Sequence, residues 1–249
     1  MKGDEFYTGY LPEAPPGIAR RTRTAVAVVF VLAVTLAVVL VASQRPFSSA
    51  VFEFGTLRTF EGVARLAPEP HLEVERPGRA DDPVSRFYLV APGKHGARPA
   101  LAGLDGRRVR LEGTLVYRGD QTMIEVVPST VEAVAEGTPP ADDVSLGRHT
   151  LIGEIVDSKC WLGVMKPGAG KPHRACASLC IRGGSPPLFV VRDADGPASQ
   201  LLLVGDDGRP IGTEILDLVA EPVEITGEAV RRGDLLVLRA DPSGIRRLP

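Results

Sequence analysis

All three cysteines, the single tryptophan and one of the four histidines fall between Asp157 and Gly184. Cys160, His173, Cys176 and Cys180 follow one another with the spacing Cys-x12-His-x2-Cys-x3-Cys. Thiolates and an imidazole are the ligands of tetrahedral zinc and of soft copper sites. These four residues are therefore a candidate metal set, with zinc or copper as the cofactor. Other readings stay open. One is a structural disulfide with a spare cysteine; Cys160 reaches Cys176 or Cys180 more easily than those two reach each other within one helix. Another is a reactive thiol with His173 as base. The blandest is a set of small buried hydrophobes.

From Ser158 to Pro187 there are no acidic residues and five basic ones: Lys159, Lys166, Lys171, Arg174 and Arg182. Such a surround favours thiolate. It also offers an anion or partner surface, or merely solvates a loop. Trp161 is expected as a lid over the segment. The haem motif Cys-x-x-Cys-His, the thioredoxin Cys-x-x-Cys, a phosphate-binding glycine loop, paired carboxylates and a Ser-His-Asp set are all missing. No catalytic or cofactor-binding residue is assigned.

The elements that must position the candidate residues can be argued locally. Pro172 suits the first turn of a helix, where its missing N–H costs nothing. Gly183 and Gly184 suit the stop, where a left-handed residue is wanted. Between them His173, Cys176 and Cys180 stand at i, i+3 and i+7, on one face. Leu179 shares that side, so the face is expected to pack inward. Cys160, ending the preceding strand, can meet it.

Around this segment the sequence repeats. Val109 to Asp120 overlies Val223 to Asp234 at an offset of 114, with six identities in twelve positions. Both copies place a glycine mid-strand and end in Arg-Gly-Asp before a second apolar alternation. Phe87–Val90 resembles Leu188–Val191, and Gly62–Ala64 resembles Gly153–Ile155. The offset grows from 91 to 101 to 114, so the second copy reads as the first with two insertions, the earlier one carrying every cysteine. Short strands divided by Gly, Pro and Asp argue for small antiparallel barrels or sandwiches. In copy one, His71 and His95 are expected as solvated loop residues, and Arg107, Arg108 and Arg110 as a solvated strand face.

A strand with a mid-strand glycine, flanked by others, resembles the oligonucleotide/oligosaccharide-binding (OB) fold. An immunoglobulin-like sandwich is the alternative. The segment from Asp157 to Gly184 is similar to one in a family of uncharacterised membrane-anchored bacterial proteins; that resemblance brings no activity.

From Ala25 to Ala42 every residue is apolar except Thr35. With Thr24 and Ser43 the stretch reaches 20 residues, and at 1.5 Å per residue it matches the roughly 30 Å of a bilayer's hydrocarbon. Arg20, Arg21 and Arg23 precede it and Arg45 alone closely follows. The positive-inside rule places residues 1–23 in the cytoplasm and the rest outside. A cleaved signal peptide is the rival reading.

Composition narrows the function classes. Basic and acidic residues number 29 and 31 and aromatics make up 5%. That balance argues against a dedicated nucleic-acid binder.

The expected architecture is all-β. A cytoplasmic tail (1–23) and a transmembrane helix (24–43) precede a first OB-like barrel (50–135). A linker (136–148) leads to a second barrel (149–249) with a helical Cys/His insertion (157–187). The expected function is that of an inner-membrane, single-pass accessory protein facing the periplasm. It would bind a metal or dock onto a membrane complex, redox or respiratory in kind. A thiol enzyme and a structural protein with one disulfide are the alternatives.

Overall fold

The computed structural model describes residues 13–43, 50–76, 83–192 and 198–249. Most of the expected tail, residues 1–12, and Arg45 lie outside them. Helix α1 (Pro16–Ser43) is long and apolar enough to cross a membrane. It starts nine residues before the apolar run that begins at Ala25. Pro16 opens it with a preset φ, and Arg20, Arg21 and Arg23 are good helix formers, so the helix extends through them.

Residues 48–249 form one compact unit. Its first half contains β1 (Val51–Phe52), β2 (Arg58–Arg65), β3 (His71–Glu75), β4 (Val84–Ala91), β5 (His95–Gly96), β6 (Arg107–Arg118), β7 (Gln121–Val126) and β8 (Glu132–Glu136). Strands β2, β3, β4, β7 and β6 close a five-stranded barrel, antiparallel except for β4 on β7. The second half contains β9 (Val144–Asp157), α2 (Arg174–Arg182), β10 (Pro187–Val191), β11 (Ser199–Gly205), β12 (Pro222–Arg232), β13 (Leu235–Ala240) and β14 (Arg246–Arg247). Strands β9, β10, β11, β13 and β12 close an identical barrel, with β11 parallel to β13. The protein is thus all-β with two OB-like barrels, a short helix in the second and an apolar N-terminal helix.

The mid-strand glycines mark where the barrels bend. A Cβ on Gly113 would lie 2.4 Å from a methyl carbon of Ile124, and one on Gly227 2.3 Å from the carbonyl oxygen of Arg239. Neighbouring strands approach so closely that no side chain fits there.

The register corrects one part of the repeat. Tyr88 pairs with Met123 and Leu202 pairs with Val237, so the third strands match at the same offset of 114 as the last ones. Phe87–Val90 belongs to a third strand, whereas Leu188–Val191 is a second strand. The long insertion therefore lies wholly between the first and second strands of barrel two. Both tetrapeptides are buried runs, and such runs look alike whichever strand they come from.

Strand alternation builds three cores. Leu72, Leu89, Leu111 and Ile124 fill the first barrel. Ile155, Phe189, Leu203, Ile225 and Leu238 fill the second, closed by Ala177 and Ile181 of α2. A third lies between the barrels and joins Tyr88, Val90, Val116 and Met123 to Leu202, Val204, Val230 and Val237, with Trp161 and Leu162 added. The two quartets are the same positions of the repeat. The barrels pack through equivalent faces, as subunits of a two-fold dimer do.

Two expectations change. The linker overlaps both flanking strands, leaving only 137–143 between β8 and β9. That stretch is pinned: Gly137 N–H donates to Gly106 O, Arg65 donates to Thr138 O, and Asp143 pairs with Arg232 and Arg239. His71 is not in a solvated loop but buried on β3, its Nδ1 2.8 Å from the carbonyl oxygen of Glu69. His95 is exposed, and Arg107, Arg108 and Arg110 form an open ladder with Glu61, Glu75, Glu132 and Glu136.

Candidate metal centre

The site starts at Asp157, the last residue of β9, which is fully buried. Its Oδ1 accepts the backbone N–H of Cys160 at 2.9 Å, a cap on the wide helical turn Cys160–Val164. Its Oδ2 lies 2.9 Å from His173 Nε2. One carboxylate thus fixes the turn bearing Cys160 and the imidazole before α2. Gly163 ends the turn at φ 156°, and a Cβ there would lie 2.7 Å from Val51 O.

A tight turn at Lys171–His173, containing Pro172, leads into α2, which begins at Arg174. Cys180 and His173 are buried and Cys176 is half-buried. Leu179 is exposed, contrary to expectation; Ala177 and Ile181 take the inward positions beside Cys180. The left-handed residue at the stop is Gly184 (φ +95°), not Gly183.

The sulfurs of Cys160, Cys176 and Cys180 lie within 4.8 Å of one another, and all three are free thiols. His173 joins a second group, with Asp157 and Cys160, at the same spacing. It is not grouped with Cys176 and Cys180. The four expected ligands therefore converge as two triplets that share Cys160.

The first barrel roofs the cluster. Lys94, in the turn between β4 and β5, places Nζ 2.8 Å from Cys176 Sγ and 3.8 Å from Cys180 Sγ. The same turn is gripped twice more. Gly96 N–H donates to Gly183 O at 2.8 Å, and Lys159 Nζ donates to Ala91 O and Gly93 O at 2.8 Å each while pairing with Glu125.

This contact sets the electrostatics. The hydrogen bond from Cys160 pulls the Cys180 thiol down to about 7, helped by the Lys94 ammonium and opposed by burial. Cys160 is pushed up, first by donating to Cys180, then by burial and the Asp157 carboxylate. The bond to Cys176 raises Lys94. Of this hydrogen-bonded pair, Cys180 is the sulfur more easily ionised.

Of the five basic residues expected to form an anion or partner surface, three have acidic neighbours. Lys159 is buried and fully engaged. Arg174 pairs with Glu221 at 2.6 Å, and Lys171 lies 4.0 Å from the same carboxylate. Lys166 and Arg182 are exposed. The sequence places positive charge locally but hides the acids, Glu125 on β7 and Glu221 just before β12.

Trp161 is buried in the core between the barrels. Its Nε1 donates to Gln200 Oε1 at 2.6 Å, and the Arg118 guanidinium lies 3.8 Å above its ring. Sequence reasoning missed Asp157 and Lys94. Asp157 had a signal, since an Asp three residues before a helical turn is a cap. Lys94 had none: it arrives from another barrel.

No family model, curated protein or solved structure matches the chain.

Proposed function

We propose that this is a membrane-anchored accessory protein of a bacterial envelope whose joined barrels hold a metal ion at the cysteine cluster. The observation that supports this is the convergence of three free sulfurs beneath a lysine supplied by the opposite barrel. Thiolates so gathered repel one another, and a cation relieves that repulsion. Cys160, Cys176 and Cys180 supply the ligands, and His173, held by Asp157, stands against Cys160. On this reading residues 24–43 lie in the inner membrane, residues 1–23 are cytoplasmic, and both barrels (50–135 and 149–249) face the periplasm. The partner is a membrane protein complex, redox or respiratory in kind. Tethering concentrates the centre near such partners.

Purified full-length protein in detergent should carry zinc or copper in near-stoichiometric amount. A Cys160→Ser/Cys176→Ser/Cys180→Ser variant should carry none. A metal-free wild type with a clean disulfide by mass would sink the proposal.

A second reading is a thiol redox protein, supported by the lowered Cys180 thiol with Cys160 as donor beside it. It requires rapid alkylation of Cys180 at neutral pH in the metal-free protein. Slow labelling of all three thiols would reject it.

A further inference from the structure

Two donor sets meet at Cys160, and they differ in kind. Cys160, Cys176 and Cys180 offer sulfur alone; Asp157, Cys160 and His173 offer oxygen, sulfur and nitrogen. Zinc calls for four ligands in a tetrahedron, whether sulfur, nitrogen or oxygen, whereas three thiolates alone suit a soft monovalent ion. The sulfur set has the one half-buried member, Cys176, through which an ion can enter. The mixed set is buried throughout. Within it His173 Nε2 already lies 2.9 Å from Asp157 Oδ2, so an ion held by both of those atoms must break this bond.

Lys94 adds a second argument. Its ammonium lies against Cys176 and Cys180, at 2.8 and 3.8 Å. It has no lone pair to give, so it fills space beside the sulfurs without adding a ligand. It also supplies positive charge. The ammonium offsets one negative charge of an anionic trithiolate centre, and by occupying the space beside the sulfurs without coordinating it leaves a three-ligand site.

Resting on the metal reading above, we infer that the centre is selective for monovalent copper, bound by Cys160, Cys176 and Cys180 alone. Asp157 and His173 stay outside the coordination sphere and position the Cys160 turn. On binding, each ligating thiol releases its proton to solvent, and no electron is transferred.

Anaerobic competition of the detergent-solubilised full chain against chromophoric chelators, with copper(I) and zinc in separate titrations, tests this. X-ray absorption of the loaded protein reads the ligands. The expected result is one copper with sulfur neighbours only. Cys176→Ser and Cys180→Ser should each weaken copper(I) binding well over about 100-fold, while His173→Gln and Asp157→Asn, which disturb only the positioning of the Cys160 turn, should cost about 10-fold. Trp161 fluorescence reports whether each variant is folded. Nitrogen in the copper shell, a folded His173→Gln that loses copper as Cys176→Ser does, or zinc bound in preference to copper would each overturn the inference and leave the metal reading standing. A chain that takes up neither ion overturns both.

Discussion

Single buried residues show how little local sequence says about environment. His71 sits among Pro, Glu and charged neighbours and reads as solvated, yet a β-strand carries it into a dry site. Burial pushes its imidazole down to about 4. Burial also pushes the nearby Glu69 carboxyl up to about 7, against the Arg98 guanidinium. The two have opposite consequences. For His71 the unfolded chain binds the extra proton between its ordinary 6.5 and 4, so that share of stability is complete above about 6.5 and is lost as pH falls. For Glu69 the folded chain holds the extra proton, so its share is complete below 4.5 and is lost as pH rises through 7. Urea midpoints from pH 4 to 8 should show His71→Gln with a shallower acid limb and Glu69→Gln with higher stability than wild type above pH 7. Unchanged limbs would refute the assignment. Tyr88 offers a simpler case: its hydroxyl is buried with no hydrogen-bond partner among the described residues. Tyr88→Phe should leave stability unchanged or raise it by up to about 1 kcal/mol, read by the same unfolding curves.

At the level of elements, helix α2 was legible because its signals are local. Pro172, the i, i+3, i+7 spacing and the glycine pair fix a short helix and its cysteine face. What the glycines do beyond stopping the helix was not legible. A Cβ on Gly183 would lie 1.7 Å from the carbonyl oxygen of Lys94. The first residue of the pair is therefore a contact surface for the other barrel, and only the second adopts the left-handed conformation. Gly183→Ala must push the β4–β5 turn away. We expect a loss of about 2 kcal/mol or more and faster alkylation of Cys176 as its cover lifts. A variant as stable and as slowly labelled as wild type would show that the turn does not seal the centre. The strands were legible as alternation, but the order of two of them was not, because Phe87–Val90 and Leu188–Val191 are both buried on their two faces.

For the whole molecule, the sequence repeat announced two similar barrels but not that they share a core. Leu202 is 1% exposed within that core. Leu202→Ala should cost about 2–5 kcal/mol. Because the core belongs to both halves, residues 48–249 should unfold in one transition that shifts as a unit. Two separate transitions, only one of them moved, would contradict a common core. The cysteine centre depends on the same union: its sulfurs belong to one half and its lysine to the other.

The matching of Tyr88, Val90, Val116 and Met123 with Leu202, Val204, Val230 and Val237 has a historical reading. Like faces that pack together are what remains when the gene of a self-associating ancestor doubles and its two products become one chain. Such an ancestor, being symmetric, had either two such centres or none. The first half, made alone, still carries the old contact and should pair with itself.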